Sequence, residues 1–192
     1  ILTCRGTFCM VTPDIRARVG MTTKPQQGDI LNMKADFVNP LVSGVYEVFC
    51  SMLDAKVRYT HVALADTDKP PNQLMAVVGL SGTVRGTVAM LFTPETTHAI
   101  LGKLLGDRAE SAPSPEIVCD AMAEIVNMVS GFAKAKLSAL VGSTLELTLP
   151  TVIRGEEYHV YAPAKSQWIE IQFASDLGPF SLRVCFEHVP NP

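Results

Sequence analysis

Apolar residues recur along the chain with two different spacings, and each spacing predicts one kind of element. A helical spacing begins after Asn39, which suits an N-cap, and Pro40, which suits the first helical position. Three β-rich runs follow this helix, at 57–64, 74–80 and 84–92. The last two runs are apolar on both faces, which is typical of central strands in a covered sheet.

The second half of the chain repeats this order. A short helix is predicted from Thr93-Pro94-Glu95 to about Gly106, and the longest helical pattern runs from Ser114 to Val141, before Gly142. Strand-like runs then recur at 145–153, 158–161, 168–174 and 180–186. Because each half has a helix followed by several strands, the pattern favours an internal duplication.

The N-terminal segment lacks both spacings. Residues 1–32 are therefore predicted to be a disordered or weakly ordered tail, and residues 33–192 a single domain, in keeping with a chain of 192 residues. The chain begins with Ile, and Met21 and Met33 stand just before the patterned region. The sequence leaves open how much of the tail belongs to the natural protein.

Composition narrows the class of protein. The chain is 47% hydrophobic and 18% charged, so it should fold, and its net charge of −3 argues against nucleic-acid binding. No apolar run approaches the roughly 20 residues of a membrane span. The five cysteines include no C-x-x-C pair and no secretory leader is visible, so reduced thiols in the cytoplasm are expected. The sequence shows no metal-ligand cluster.

One helix carries a polar stripe that its composition does not explain. On the largely apolar pattern 114–141, three polar side chains fall within about 60° of one another, with Gly131 continuing the line. These residues are Asp120, Glu124 and Asn127. Asn is a poor helix former and has no capping role in mid-helix. An exposed Glu and Asn pair can also be nothing more than a solvated face, and the stripe alone leaves both interpretations open.

The residues around this stripe resemble a known signature. Asp120-Ala121-Met122-Ala123-Glu124-Ile125-Val126-Asn127, followed by Met128-Val129-Ser130-Gly131, is similar to the signature helix of the CheC/CheX/FliY family, most closely its CheX branch. Asn39-Pro40, the Gly79–Gly82 hairpin, Leu149-Pro150 and Gly178-Pro179 support the resemblance. It implies an α+β, pseudo-duplicated fold in which long helices pack against a mainly antiparallel sheet.

The resemblance also implies a function. Members of that family dephosphorylate the chemotaxis response regulator CheY, so this chain is expected to be a phosphatase for a CheY-like receiver. Glu124 would dock to a lysine of the receiver, Asn127 would orient the attacking water, and Asp120 would support them. The chain would need no cofactor of its own, because the phosphorylated receiver would supply Mg²⁺. A homodimer is also implied. The alternative is a non-catalytic module of the same fold that docks a receiver or another chemotaxis or flagellar component.

The first predicted helix carries a degenerate copy of the stripe. Ser43, Glu47 and Cys50 repeat the spacing of Asp120, Glu124 and Asn127. A thiol lacks the paired donor and acceptor with which an amide can hold a water. We therefore expect this second site to be inactive, and one competent site per chain.

Overall fold

A computed structural model describes residues 2–4, 7–9, 25–65, 74–106, 113–155, 158–162 and 166–188. The helices in this part of the chain are α1 (Pro25–Ser51), α2 (Pro94–Leu105) and α3 (Pro115–Val141). The strands are β1 (Leu2–Cys4), β2 (Thr7–Cys9), β3 (Val57–Leu64), β4 (Leu74–Ser81), β5 (Arg85–Phe92), β6 (Glu146–Leu147), β7 (Thr151–Ile153), β8 (Ile169–Ser175) and β9 (Phe180–His188). Among these helices, none combines the length and apolarity needed to cross a membrane.

The main sheet is antiparallel and its topology is that of a duplicated unit. The strand order is β3-β8-β9-β5-β4-β6, and β7 also pairs with β4. Hairpins β4–β5 and β8–β9 meet at the centre, where β5 pairs with β9. On each side, the strand that follows one long helix pairs with the hairpin of the other half: β3 with β8, and β7 with β4. The predicted α+β pseudo-duplicated fold is confirmed.

The main core lies between the sheet and the two long helices. Helices α1 and α3 pack against each other, and α3 also packs on β4 and β5. The two helices are in close contact at Gly44, where an added Cβ would lie only 2.5 Å from the carbonyl oxygen of Val129. Large, fully buried side chains from every layer fill the core, among them Leu41, Phe49, Met90, Phe92, Met122 and Phe173. This packing fixes which face of α3 points outward.

The other face of the sheet has its own small core. Met75, Leu91 and Trp168 form a buried cluster there, and residues 158–162 pack against it. The prediction of a strand at 158–161 is wrong, because this segment is irregular. Its alternating apolar residues cover the sheet instead of pairing with a neighbouring strand.

Helix α1 begins earlier than the sequence indicates. Asn39 and Pro40 lie inside α1, which begins at Pro25, so the N-cap assigned to Asn39 is wrong. Proline has no N–H to donate within a helix and usually disfavours interior positions, which is why the sequence suggests a start there. The long helix tolerates Pro40 because its apolar face is packed in the core.

Regular structure also extends into the segment predicted as a tail. The first turns of α1 fall between residues 25 and 32, and β1 and β2 pair near the N-terminus. Residues 10–24 lie outside the described part of the chain. The division into a tail up to residue 32 and one domain from residue 33 stays a prediction.

Candidate active site

Helix α3 is well defined at both ends. The Ser114 hydroxyl accepts a hydrogen bond from the backbone N–H of Ile117 at 3.5 Å, and Pro115 occupies the first turn. The Glu116 carboxylate accepts hydrogen bonds from the Ser114 hydroxyl and from the backbone N–H of Glu116 itself, and these bonds hold the pKa of Glu116 below its ordinary value. At the other end, Gly142 adopts a left-handed conformation with φ of 64°. The predicted bounds of this helix are confirmed.

The stripe lies on the outward side of α3. The apolar side of the helix, including Met122, Ile125 and Val129, is buried in the main core. Asp120 and Glu124 are exposed, and Asn127 is half-buried. Three residues of helix separate Glu124 from Asn127, which corresponds to about 4.5 Å along the axis and a rotation of about 60°. The two side chains therefore share one face.

No side chain of the stripe is engaged within the described part of the chain. The structure gives Asp120, Glu124 and Asn127 neither a hydrogen bond nor an ion pair there. A carboxylate offers negative charge and acceptors, while an amide offers both a donor and an acceptor. The pair can thus bind a cationic group and hold a water molecule. The described residues contain no group of three or more His, Cys, Asp or Glu side chains that could hold a metal ion.

The degenerate stripe on α1 differs in its surroundings. Ser43 and Glu47 are half-buried, and a Glu47 carboxylate oxygen accepts a hydrogen bond from the Ser51 hydroxyl at 3.1 Å. Cys50 is only 7% exposed. The sequence predicts that a thiol disables this site. The structure adds that the thiol lies below the surface, which spacing along one helix cannot show.

The sequence analysis also missed the contacts that the last turns of α3 make with the chain that follows the helix. The Lys134 ammonium forms an ion pair with Glu146 at 3.1 Å, and the Ser138 hydroxyl accepts a hydrogen bond from the backbone N–H of Leu145 at 3.2 Å. The chain after α3 therefore runs back alongside the helix. The sequence pattern does not reveal these two contacts, because Glu146 and Leu145 follow the turn that ends α3.

A separate groove lies on the opposite side of the sheet. It has a volume of about 280 Å³ and contains none of the predicted site residues. Arg183 pairs there with Glu170 at 2.9 Å, and Gln172 and His61 also line it. The predicted site and this groove are therefore distinct.

Comparison with known proteins places the chain in a family. The model of the chemotaxis phosphatase CheX family matches residues 74–174, which is more than half of the chain and includes Glu124 and Asn127. The chain belongs to this family. The predicted CheX-like relationship and the phosphatase class are thereby confirmed.

Individual CheX proteins are similar over most of the chain. The CheY-P phosphatase CheX of Thermotoga maritima is 27% identical over 128 residues, covering 67% of this chain and 81% of that protein. The crystal structure of CheX from Desulfovibrio desulfuricans has a TM-score of 0.71 at 28% identity, covering 79% of this chain and 99% of that one. The CheX of the Borrelia burgdorferi CheX-CheY-BeF3-Mg+2 complex has a TM-score of 0.64 at 19% identity, covering 78% and 97%. At 19% identity, the similarity to the Borrelia burgdorferi protein shows a shared fold only.

Proposed function

We propose that this protein hydrolyses the phosphoaspartate of a CheY-like response regulator, with Asn127 orienting the attacking water and Glu124 docking to a lysine of the receiver. The observation that carries the proposal is the Glu124 and Asn127 pair on the outward face of α3. Both side chains lack internal partners in the described part of the chain, on a helix anchored at both ends. The CheY-P phosphatase activity named for the Thermotoga maritima relative supports this substrate.

The proposed chemistry suits these two side chains. Hydrolysis of an acyl phosphate requires in-line attack by water while charge on the equatorial oxygens is neutralised, so catalysis depends mainly on positioning and electrostatics. The Asn127 amide can accept from and donate to one water, which fixes its orientation. No strong base is required. The receiver would contribute Mg²⁺, so this chain would need no metal of its own.

Glu124 and Asp120 would act in docking. Glu124 is exposed, so its carboxylate can reach a cationic side chain on another protein without a rearrangement of this chain. An interprotein ion pair of this kind fixes register and accelerates encounter. Asp120 lies one turn before Glu124 and adds negative charge to the same face. We assign it a supporting role.

Release of inorganic phosphate from a phosphorylated CheY-type receiver with Mg²⁺ tests the proposal. The wild-type protein should accelerate release, and Asn127→Ala should lose roughly 10²-fold or more of this acceleration, as when one preorganised hydrogen-bonding group is removed from other active sites. Circular dichroism would show that the variant is folded. Binding without any acceleration would instead establish the non-catalytic docking module. Full activity in Asn127→Ala would remove Asn127 from the mechanism.

We also infer a homodimer that acts in the cytoplasm. Strand β3 lies at one end of the strand order, and within the described residues only β8 pairs with it. An edge strand of this kind is a template for pairing with another chain. Light scattering should give twice the chain mass of 20.8 kDa, and a mass of one chain would contradict the dimer.

A further inference from the structure

Gly131 is a glycine in the middle of α3 for which the fold offers no reason. A glycine inside a helix costs stability relative to alanine, because its backbone loses more freedom on folding. A tight contact or an unusual backbone angle can compensate for this cost. Gly44 on α1 is one such case, since an added Cβ would collide with the Val129 carbonyl oxygen.

Neither compensation applies to Gly131. Apart from the two chain neighbours and the adjoining backbone of α3 itself, a Cβ added at this position has no atom of the described chain within 4 Å. The glycines with positive φ in the described residues are Gly82, Gly106, Gly142 and Gly178, so Gly131 does not need the left-handed region. Alanine would fit the fold at Gly131 and should make the helix more stable. The missing side chain is therefore unexplained by the protein's own structure.

The position of Gly131 relates it to the candidate site. It follows Asn127 by four residues, so it lies about 6 Å further along the axis and about 40° around it. Both residues are on the outward side of α3, where Gly131 is exposed and Asn127 is half-buried. The side chain of Asn is short, with its amide carbon only two bonds from Cα, so the amide stays close to the helix backbone. Any partner whose reacting group meets this amide must approach the helix backbone closely.

We infer that Gly131 is a positioning residue that leaves room for the backbone of the phosphorylated receiver to approach α3 beside Asn127. This inference rests on the proposed function. A side chain at residue 131 would hold the receiver away from the helix, and the Asn127 amide would then fall short of the water it orients. Because a displacement of 1 Å can cost about 10²-fold in rate, even a small side chain matters.

Gly102 on α2 provides a matched control. It is also an exposed helical glycine, and an added Cβ there likewise has no described atom within 4 Å outside the adjoining part of its own helix. It lies on another helix, and it has no part in the proposed site. Substitution at Gly102 therefore reproduces the effect on helix stability without changing the surface near Asn127.

The experiment compares Gly131→Ala and Gly131→Leu with Gly102→Ala and Gly102→Leu. Both alanine variants should raise the Tm by about 1–4 °C, because alanine is the better helix former. Phosphate release should fall by roughly threefold in Gly131→Ala and by roughly 10²-fold in Gly131→Leu, with KM raised and kcat lowered. Both Gly102 variants should keep the wild-type kcat and KM.

Two outcomes would overturn the inference. Wild-type kcat/KM in Gly131→Leu would show that the position needs no clearance, and an equal loss in Gly102→Leu would show a general effect of leucine on a helix surface. Affinity for the receiver, measured by titration, separates this inference from the proposed function. If the wild-type protein binds the receiver but releases no phosphate, the proposed function fails. The inference about Gly131 is still supported in that case if Gly131→Leu binds the receiver more weakly and Gly102→Leu does not.

Discussion

Helices α1 and α3 carry polar stripes with the same spacing, but the two stripes differ in how exposed their side chains are and in whether those side chains have partners within the protein. On α3, Glu124 is exposed and Asn127 is half-buried, and neither has a partner in the described residues. On α1, Glu47 accepts a hydrogen bond from Ser51, and Cys50 is 7% exposed. The duplication thus preserved the spacing of the stripe but not its accessibility. The proposed site depends on both.

The glycines of the two helices show the same contrast. Gly44 allows α1 to contact the backbone of α3, so its small size serves internal packing. A Cβ added at Gly131 would meet no described atom outside the adjoining part of α3, so its small size is available to a partner. One helix uses its glycine for the fold, and the other carries a glycine at the surface beside the candidate site.

The largest effect, on the rate of phosphate release, is expected when the amide of the α3 stripe is replaced by the thiol of the α1 stripe. Asn127→Cys replaces the amide with the residue found at the corresponding position of α1. The thiol cannot both accept from and donate strongly to one water, so the rate of phosphate release should fall by roughly 10²-fold. Steady-state assays with a phosphorylated receiver measure this loss, and Cys119→Ser provides a control for a changed thiol elsewhere on α3. Near wild-type turnover in Asn127→Cys would show that the residue types do not distinguish the two stripes.

The sequence predicts an element correctly where the signals that define it are local. The bounds of α3 could be predicted because Ser114 and Gly142 are local capping signals at its two ends. The start of α1 could not, because Pro40 is typical of a first helical turn and here lies in the interior of a packed helix. The prediction of a strand at 158–161 is wrong because apolar alternation does not distinguish a paired strand from a segment that packs across a sheet.

The candidate site shows a similar limit. The spacing of Glu124 and Asn127 places them on one helix face, and that inference needs only the helical repeat. The burial of Cys50 depends on how α1 sits on the sheet and on α3, which no local pattern specifies. The same holds for Gly44 and Gly131, whose different roles depend on where the helices cross.

The reverse exchange tests whether burial also disables the α1 stripe. Cys50→Asn restores the amide of the α3 pattern at a position that is 7% exposed. It should destabilise the fold by about 2 kcal/mol, because placing a larger and more polar amide at this buried position carries a desolvation cost. It should add no phosphatase activity in an Asn127→Ala background. Chemical denaturation and phosphate release measure the two effects. Restored turnover in the double variant would show that residue type alone distinguishes the helices.

The smallest effect, on the KM for the receiver, is expected from the glutamates at corresponding positions of the two stripes, Glu124 on α3 and Glu47 on α1. Glu124→Gln removes the charge with little change of shape, and it should raise the KM for the phosphorylated receiver by roughly tenfold, because a rim charge mainly governs encounter and register. Glu47→Gln is the matched control on α1. It leaves kcat and KM unchanged, because Glu47 is half-buried and interacts with Ser51 of its own helix. The two variants are compared at low and high salt, since screening should reduce the advantage of wild-type Glu124 but not affect Glu47→Gln. Equal changes of KM in both variants would mean that the receiver senses the overall charge of the helix pair and not the α3 stripe.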